Sequence, residues 1–314
     1  MCALTETVTP APLLLVAFVA TFANAAGDPL GQHHSPATQI TPDNVTQLQP
    51  AWTHRNGDMA AAKGAPSSVS AQSTPILLPR DAGEHLVYCT PFNRVIALDP
   101  QTGRERWTYD PKVRRTSERP YRCRGVAYSP VPQVESAGAC QHRLYTVTGD
   151  RRLIALDARN GRPCAQAFDR WRPSGVVMLV EHDRYALEKV GSSSPPAVAN
   201  GVVVVGSSVI DFAYAEAPRG VIAAYDAITG EPRWTFDPLQ GATGTGAANA
   251  WAPLAVDAEL WVFDLQNRRR WRQRDGRSEP TGEAPVRPLT DPVFAYNYRP
   301  MQREAAGMGH HEVA

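Results

Sequence analysis

The chain of 314 residues has almost no net charge, with 32 Lys and Arg against 31 Asp and Glu. That excludes a disordered polyelectrolyte and a broad basic surface for nucleic acid. Lysine itself is nearly missing. Only Lys63, Lys112 and Lys189 occur, and every other basic residue is Arg, which reads as base composition rather than chemistry. Cysteine is scarce, and no two stand as C-x-x-C, so a zinc ribbon is unsupported. No G-x-S-x-G is present to make a serine-hydrolase elbow. His33-His34 and His310-His311 have no partners at metal-ligand spacing. The glycine-rich run from Gly241 to Gly246 reads as a loop, because it opens no helix and has Asn249 where a dinucleotide fingerprint needs Gly or Ala.

What is present points to strands and turns. The 23 Gly and 28 Pro exceed the usual share, which favours an all-β chain over a helical one. Cys2 lies ahead of an apolar run. Cys89, Cys123, Cys140 and Cys164 form an even set, compatible with two disulfides in an oxidising compartment, and three connectivities are open. Leu13 to Phe22 reads LLLVAFVATF, shorter than the ~20 residues of a membrane-spanning helix. With Ala23-Asn24-Ala25 after it, residues 1–26 are expected to be an export signal or the stub of a membrane segment.

Three segments repeat: VIALDPQTGRERWTYDP from Val95, LIALDARNGRPCAQAFD from Leu153 and VIAAYDAITGEPRWTFDP from Val221. Each carries an apolar strand, an Asp, three residues, a Gly and a second strand, with pairs Asp99/Gly103, Asp157/Gly161 and Asp226/Gly230. The carboxylate caps a tight turn, and Gly takes the positive φ that other residues avoid. Trp107 and Trp234 follow the Gly by four residues, where an indole can cover a neighbouring sheet, and Ala165 holds that place in the second copy. Upstream of each hairpin another strand is expected, at His85–Cys89, Arg143–Val147 and Gly201–Val205. Repeated four-stranded sheets make a β-propeller; an open β-sandwich leaves the repeated turn unexplained.

The A-x-D-x-x-T-G-x-x-x-W pattern resembles the tryptophan-docking repeat of quinoprotein dehydrogenases, which use pyrroloquinoline quinone (PQQ). Ser35–Asp58, the CRGVAY of Cys123–Tyr128, Ser194–Pro196 and the NAWAPLAVDAEL of Asn249–Leu260 resemble the membrane-bound glucose/quinate/shikimate branch. The resemblance implies an eight-bladed propeller, of which residues 27–260 would supply about four blades. It implies PQQ with Ca²⁺ or Mg²⁺ as cofactors, periplasmic oxidation of a sugar or polyol at the inner membrane, and ubiquinone as electron acceptor. By the same resemblance Arg124 contacts PQQ and Asp211 is a metal ligand. Two positions depart from the family: Phe212 follows Asp211 in place of Asn, and Pro120 replaces a histidine. The family's catalytic Asp and Lys lie in blades that this chain does not match, so no catalytic residue is assigned. From Trp261 the resemblance ends. Six Arg fall between Arg268 and Arg277, and residues 261–314 are expected to be an unrelated, disordered Arg/Pro-rich tail. The expectation is therefore a partial dehydrogenase with little or no activity alone. The alternative is a non-catalytic propeller scaffold for protein–protein interaction.

Overall fold

The structure is a computed structural model that describes residues 37–62, 69–115, 120–132, 139–165, 168, 174–179, 189–210, 217–239, 246, 250–257, 262–265 and 293–295. Strands dominate it, and helix is limited to short turns such as Asp58–Ala61. Among the described residues no helix is long and apolar enough to cross a membrane.

Strand β1 (Val69–Ala71) precedes the first four-stranded sheet, formed by β2 (Ile76–Leu77), β3 (Leu86–Cys89), β4 (Val95–Leu98) and β5 (Glu105–Tyr109). Strand β6 (Tyr121–Cys123) returns to lie parallel to β1. The second sheet is β7 (Ala127–Pro130), β8 (His142–Val147), β9 (Arg152–Asp157) and β10 (Val176–Met178). Next come β11 (Val190–Gly191), β12 (Ala197–Ala199), β13 (Val202–Val205), β14 (Ser208–Val209), β15 (Ile222–Asp226) and β16 (Pro232–Phe236). Of these, β12, β13, β15 and β16 make the third sheet, while β11 pairs with β14. A last sheet joins β17 (Leu254–Asp257), β18 (Val262–Leu265) and β19 (Val293–Ala295). The three upstream strands anticipated from the sequence are β3, β8 and β13. Strands β18 and β19 fall within the stretch expected to be a structureless tail, and the rest of 261–314 lies outside the described residues.

The sheets stack face to face, which explains why their middle strands are apolar on both faces. Along β9, Ile154 and Leu156 enter a core shared with the first sheet, beside Val87, Val95 and Ala97. Leu153 and Ala155 point the other way, into a core shared with Val203, Val205, Ala223 and Tyr225 of the third sheet. The next residues of β13 and β15, Val204, Ile222 and Ala224, meet Leu254 and Val256 of the last sheet. The period-two alternation of a strand thus sorts one apolar run into two cores.

The repeated turns form as their chemistry requires. Gly103, Gly161 and Gly230 have φ of 69°, 72° and 73°, and each donates its N–H to the carbonyl of the Asp four residues earlier at 2.8–2.9 Å. Asp99 Oδ1 accepts from the amides of Gln101 and Thr102 at 2.9 and 2.8 Å, and Asp226 Oδ1 from Ile228 and Thr229 at 2.8 and 2.7 Å. A Cβ on Gly161 would stand 2.4 Å from the Trp107 ring, so the indole of the first sheet lies directly over the second sheet's turn. Trp52, from the segment that enters the fold, covers Gly103 in the same manner. One expectation changes. Among the described residues, the second copy has no paired strand directly after its Gly, only the isolated bridge Leu156↔Pro163. Cys164 N–H donates to Ala155 O at 2.9 Å, and the outer strand β10 comes later in the chain.

Two disulfides settle the connectivity left open above: Cys89–Cys123 and Cys140–Cys164. The first joins the end of β3 to the end of β6. The second closes a loop inside the second sheet.

Candidate functional site

In each of the three four-stranded sheets the link between its second and third strands lies at the same end. In the first sheet this link is a turn from Thr90 to Arg94. Thr90 N–H donates to Arg94 O at 2.8 Å, Asn93 adopts φ 61°, and Arg94 N–H donates to Thr90 Oγ1 at 3.2 Å. The second sheet repeats it from Thr148 to Arg152, with Arg151 at φ 67° and Arg152 N–H donating to Thr148 Oγ1 at 3.1 Å. Asn93 bridges the two turns, its Oδ1 accepting from Gly149 N–H at 3.1 Å. In the third sheet the link carries β14.

Over these links opens a cavity of about 310 Å³. Asn93 and Gly149 line it from the turns, and Ser192, Ser193 and Ser208 from β11, β14 and their flanks. Arg114, Pro120, Arg122 and Arg124 come from the chain around β6, and Trp251 stands just ahead of β17. Among the described residues lining it, none is Asp, Glu or His. The described lining is cationic, with no carboxylate or imidazole among it to accept a proton.

Arg124 is held from several directions. Its N–H donates to Ser193 O at 3.2 Å and its carbonyl accepts from Thr74 N–H at 3.0 Å. Its Nη1 donates to Ser193 Oγ at 2.6 Å, and its guanidinium lies 4.6 Å from the centre of the Trp251 ring. The adjacent Cys123 is bonded to Cys89, so the strand that leads into Arg124 is tied covalently to the first sheet. Burial pushes the Arg124 guanidinium down to about 10, and the like charge of Arg122 adds to the shift. It stays charged at neutral pH, but the cation is short of solvation, the condition in which an anionic ligand gains most.

The structure therefore puts Arg124 on a cavity wall, together with Pro120, which stands where the resemblance calls for a histidine. Asp211 and Phe212 lie outside the described residues. No group of three or more His, Cys, Asp or Glu side chains among the described residues could hold a metal ion. Sequence reasoning passed over Arg114, Arg122 and Trp251. Trp251 sits within the quoted NAWAP stretch, but no periodicity marks it. The paired turns at Thr90 and Thr148 do carry a signal that could have located this end of the sheets: Thr followed four residues later by Arg, in TPFNR and TGDRR.

Comparison with known proteins matches residues 22–263 to the family described as "PQQ: Glucose/ethanol/alcohol dehydrogenase, beta-propeller domain". Quinoprotein glucose dehydrogenase A of Acinetobacter calcoaceticus is 34% identical over 253 residues, covering 73% of this chain and 30% of that protein. The quinate/shikimate dehydrogenase (quinone) of Acinetobacter baylyi is 32% identical over 266 residues, covering 76% of this chain and 31% of that protein. Among solved structures, the quinohemoprotein alcohol dehydrogenase of Pseudomonas putida HK5 superposes with a TM-score of 0.55 at 25% identity, over 78% of this chain and 34% of that one. The chain spans about a third of the length of the relatives it matches.

Proposed function

The chain belongs to this PQQ family of dehydrogenase β-propeller domains, and from that premise we propose that it binds PQQ in the Arg124–Trp251 cavity and serves the oxidation of a sugar or polyol. The observation that carries the proposal is the cavity itself: cationic, free of carboxylates among its described lining residues, and bordered by an indole. PQQ is a planar fused-ring quinone with three carboxylates, so its chemistry matches that lining. Arg124 would hold a carboxylate through its planar fork. Ser193 fixes the guanidinium, and Trp251 adds aromatic surface for a flat ring. Bound PQQ would supply a two-electron acceptor for the alcohol carbon.

The relatives' names favour a sugar, a polyol or a hydroxy acid as substrate: glucose, quinate/shikimate and glycerol dehydrogenases. Ubiquinone is the proposed acceptor. The proposed location is the periplasm, in association with the inner membrane, and two disulfides support an oxidising compartment. The described residues do not offer a fit to Ca²⁺ or Mg²⁺, so no step is assigned to a metal. No described residue on the cavity wall can take the proton from a substrate hydroxyl. Cofactor binding is thus the property proposed for these 314 residues, with little turnover by them alone.

Titration of the full chain with PQQ, followed by tryptophan fluorescence, tests the reading. Saturable binding is expected, and Arg124→Ala should weaken it by about tenfold, the value of one partly buried charged hydrogen bond. The absence of saturable binding would remove the proposal. Glucose-dependent dye reduction with PQQ and Ca²⁺ is expected to stay at the no-protein level, and clear turnover would overturn the statement about activity.

A further inference from the structure

Arg122 lies two residues from Arg124 on the same cavity, and its surroundings differ. Strand β6 places it opposite Ser70 of β1 in the parallel pair. Its Nε is buried with no hydrogen-bond partner, and among the described residues Arg122 enters no ion pair. A buried guanidinium N–H without an acceptor is unfavourable. Arg124, by contrast, spends Nη1 on Ser193. A guanidinium with no ion pair, on the wall of a cationic cavity and close enough to Arg124 to repel it, is placed to meet an acidic group of a ligand.

We propose that Arg122 is a second carboxylate-binding residue of this cavity, pairing with an acidic group of the bound ligand that Arg124 does not reach. This inference rests on the PQQ reading and deepens it. Arg124 serves one carboxylate from a fixed position, and the Arg122 guanidinium serves another, so affinity depends on how many carboxylates the ligand carries. Arg122 is a positioning residue. It sets the orientation of the ring system by holding a second corner.

Two ligands of the same shape test it against the full chain: PQQ, and its trimethyl ester, in which all three carboxylates are neutral. Binding is read by quenching of tryptophan fluorescence. Arg122→Gln should raise the Kd for PQQ by about tenfold, the loss of one charge-assisted hydrogen bond. It should leave the Kd for the ester within twofold of the unaltered protein. Arg122→Lys, which keeps the charge, should recover part of the PQQ affinity and none of the discrimination due to the lost fork. An unchanged thermal melt shows that each variant folds, and should Arg122→Gln melt early, the ester-to-PQQ ratio of Arg122→Lys gives the same comparison. A wild-type Kd for PQQ in Arg122→Gln overturns the inference while the PQQ reading stands. Parallel losses for both ligands overturn it as well, since that marks a reshaped cavity rather than a lost ion pair. If the unaltered chain binds no PQQ, the inference falls together with the reading beneath it.

Discussion

The seam between the first and second sheets and the seam between the second and third present the same kind of turn. Each turn accepts a side-chain hydrogen bond, from His85 Nε2 to Arg159 O at 3.2 Å in the first and from Arg143 in the second, but what else covers the turn differs. At the first seam the Trp107 indole lies over Gly161, and Ile154 and Leu156 pack behind it. At the second, the turn from Asp226 to Gly230 is met by Arg143 of β8. This side chain is fully buried, and its Nη1 donates to Ala227 O at 2.6 Å and to Ile228 O at 2.7 Å while Nε donates to Cys140 O at 3.0 Å. Tyr145 joins it, donating its hydroxyl to Ala227 O at 2.6 Å. Burial pushes that phenol up to about 12, so it remains a donor at any ordinary pH. Both seams hold an apolar core and a hydrogen bond to the turn, but the first adds an indole over the glycine and the second a buried guanidinium and a phenol on the turn's carbonyls. A repeat can therefore lose its tryptophan, as the second copy has at Ala165, and its described contacts to the next turn can be polar.

The largest test of that contrast is Trp107→Ala. Removing the indole leaves a cavity above Gly161 and should lower the unfolding free energy by about 3 kcal/mol, measured by urea denaturation. A loss under about 1 kcal/mol would mean that the first seam does not depend on its indole. Arg143→Met comes next. It strips donors from three carbonyls but also releases a costly buried charge, so a net loss of about 2 kcal/mol is expected. A variant as stable as the original would break the comparison, since the polar seam would then be a tolerated burden rather than an equivalent closure. The smallest effect belongs to the turn itself. Burial alone would raise the Asp226 carboxyl, but the Thr229 amide and the Arg233 guanidinium outweigh it and hold the group below its ordinary value. A carboxyl depressed in the folded state contributes stability above its unfolded pKa, and that contribution drains away as pH falls below about 4. Asp226→Asn should change stability at neutral pH by less than about 1 kcal/mol, because Asn caps such turns too. It should flatten the acid limb of a thermal melt recorded from pH 6 to 3. An unaltered acid limb would show that this carboxylate does not supply the pH dependence.

The same contrast explains what could be read from the sequence. The Asp–Gly turns were legible because their chemistry is local: carboxylate, amide and glycine lie within four residues of one another. The strands beside them were legible from apolar runs. Arg143 was not, since its acceptors on the next turn lie 84 and 85 residues away and nothing in its neighbourhood distinguishes it from the other arginines. At the cavity, Arg124 was named only through the family resemblance. Arg122 and Arg114 escaped because they join the site by strand pairing and loop closure that no spacing announces. The expected metal ligand Asp211 falls outside the described residues. The outgoing strand of the second copy was misplaced because β10, from further along the chain, takes the place beside β9 that the residues directly after the Gly hold in the other two copies.

One consequence concerns how such a chain could grow. Strand β9 gives alternate residues to two different cores, and β13 and β15 do the same. A sheet lifted out of the middle would carry half of two interiors and the whole of neither. The unit that keeps its apolar surface covered is instead the interval from one sheet's middle strands to the next sheet's, joined where they touch. Gene duplication that added sheets would have been viable only when each new copy arrived with both faces already suited to the faces of its predecessors. That demand favours copying near-identical neighbours first and letting details such as Ala165 and Arg143 diverge afterwards, one seam at a time.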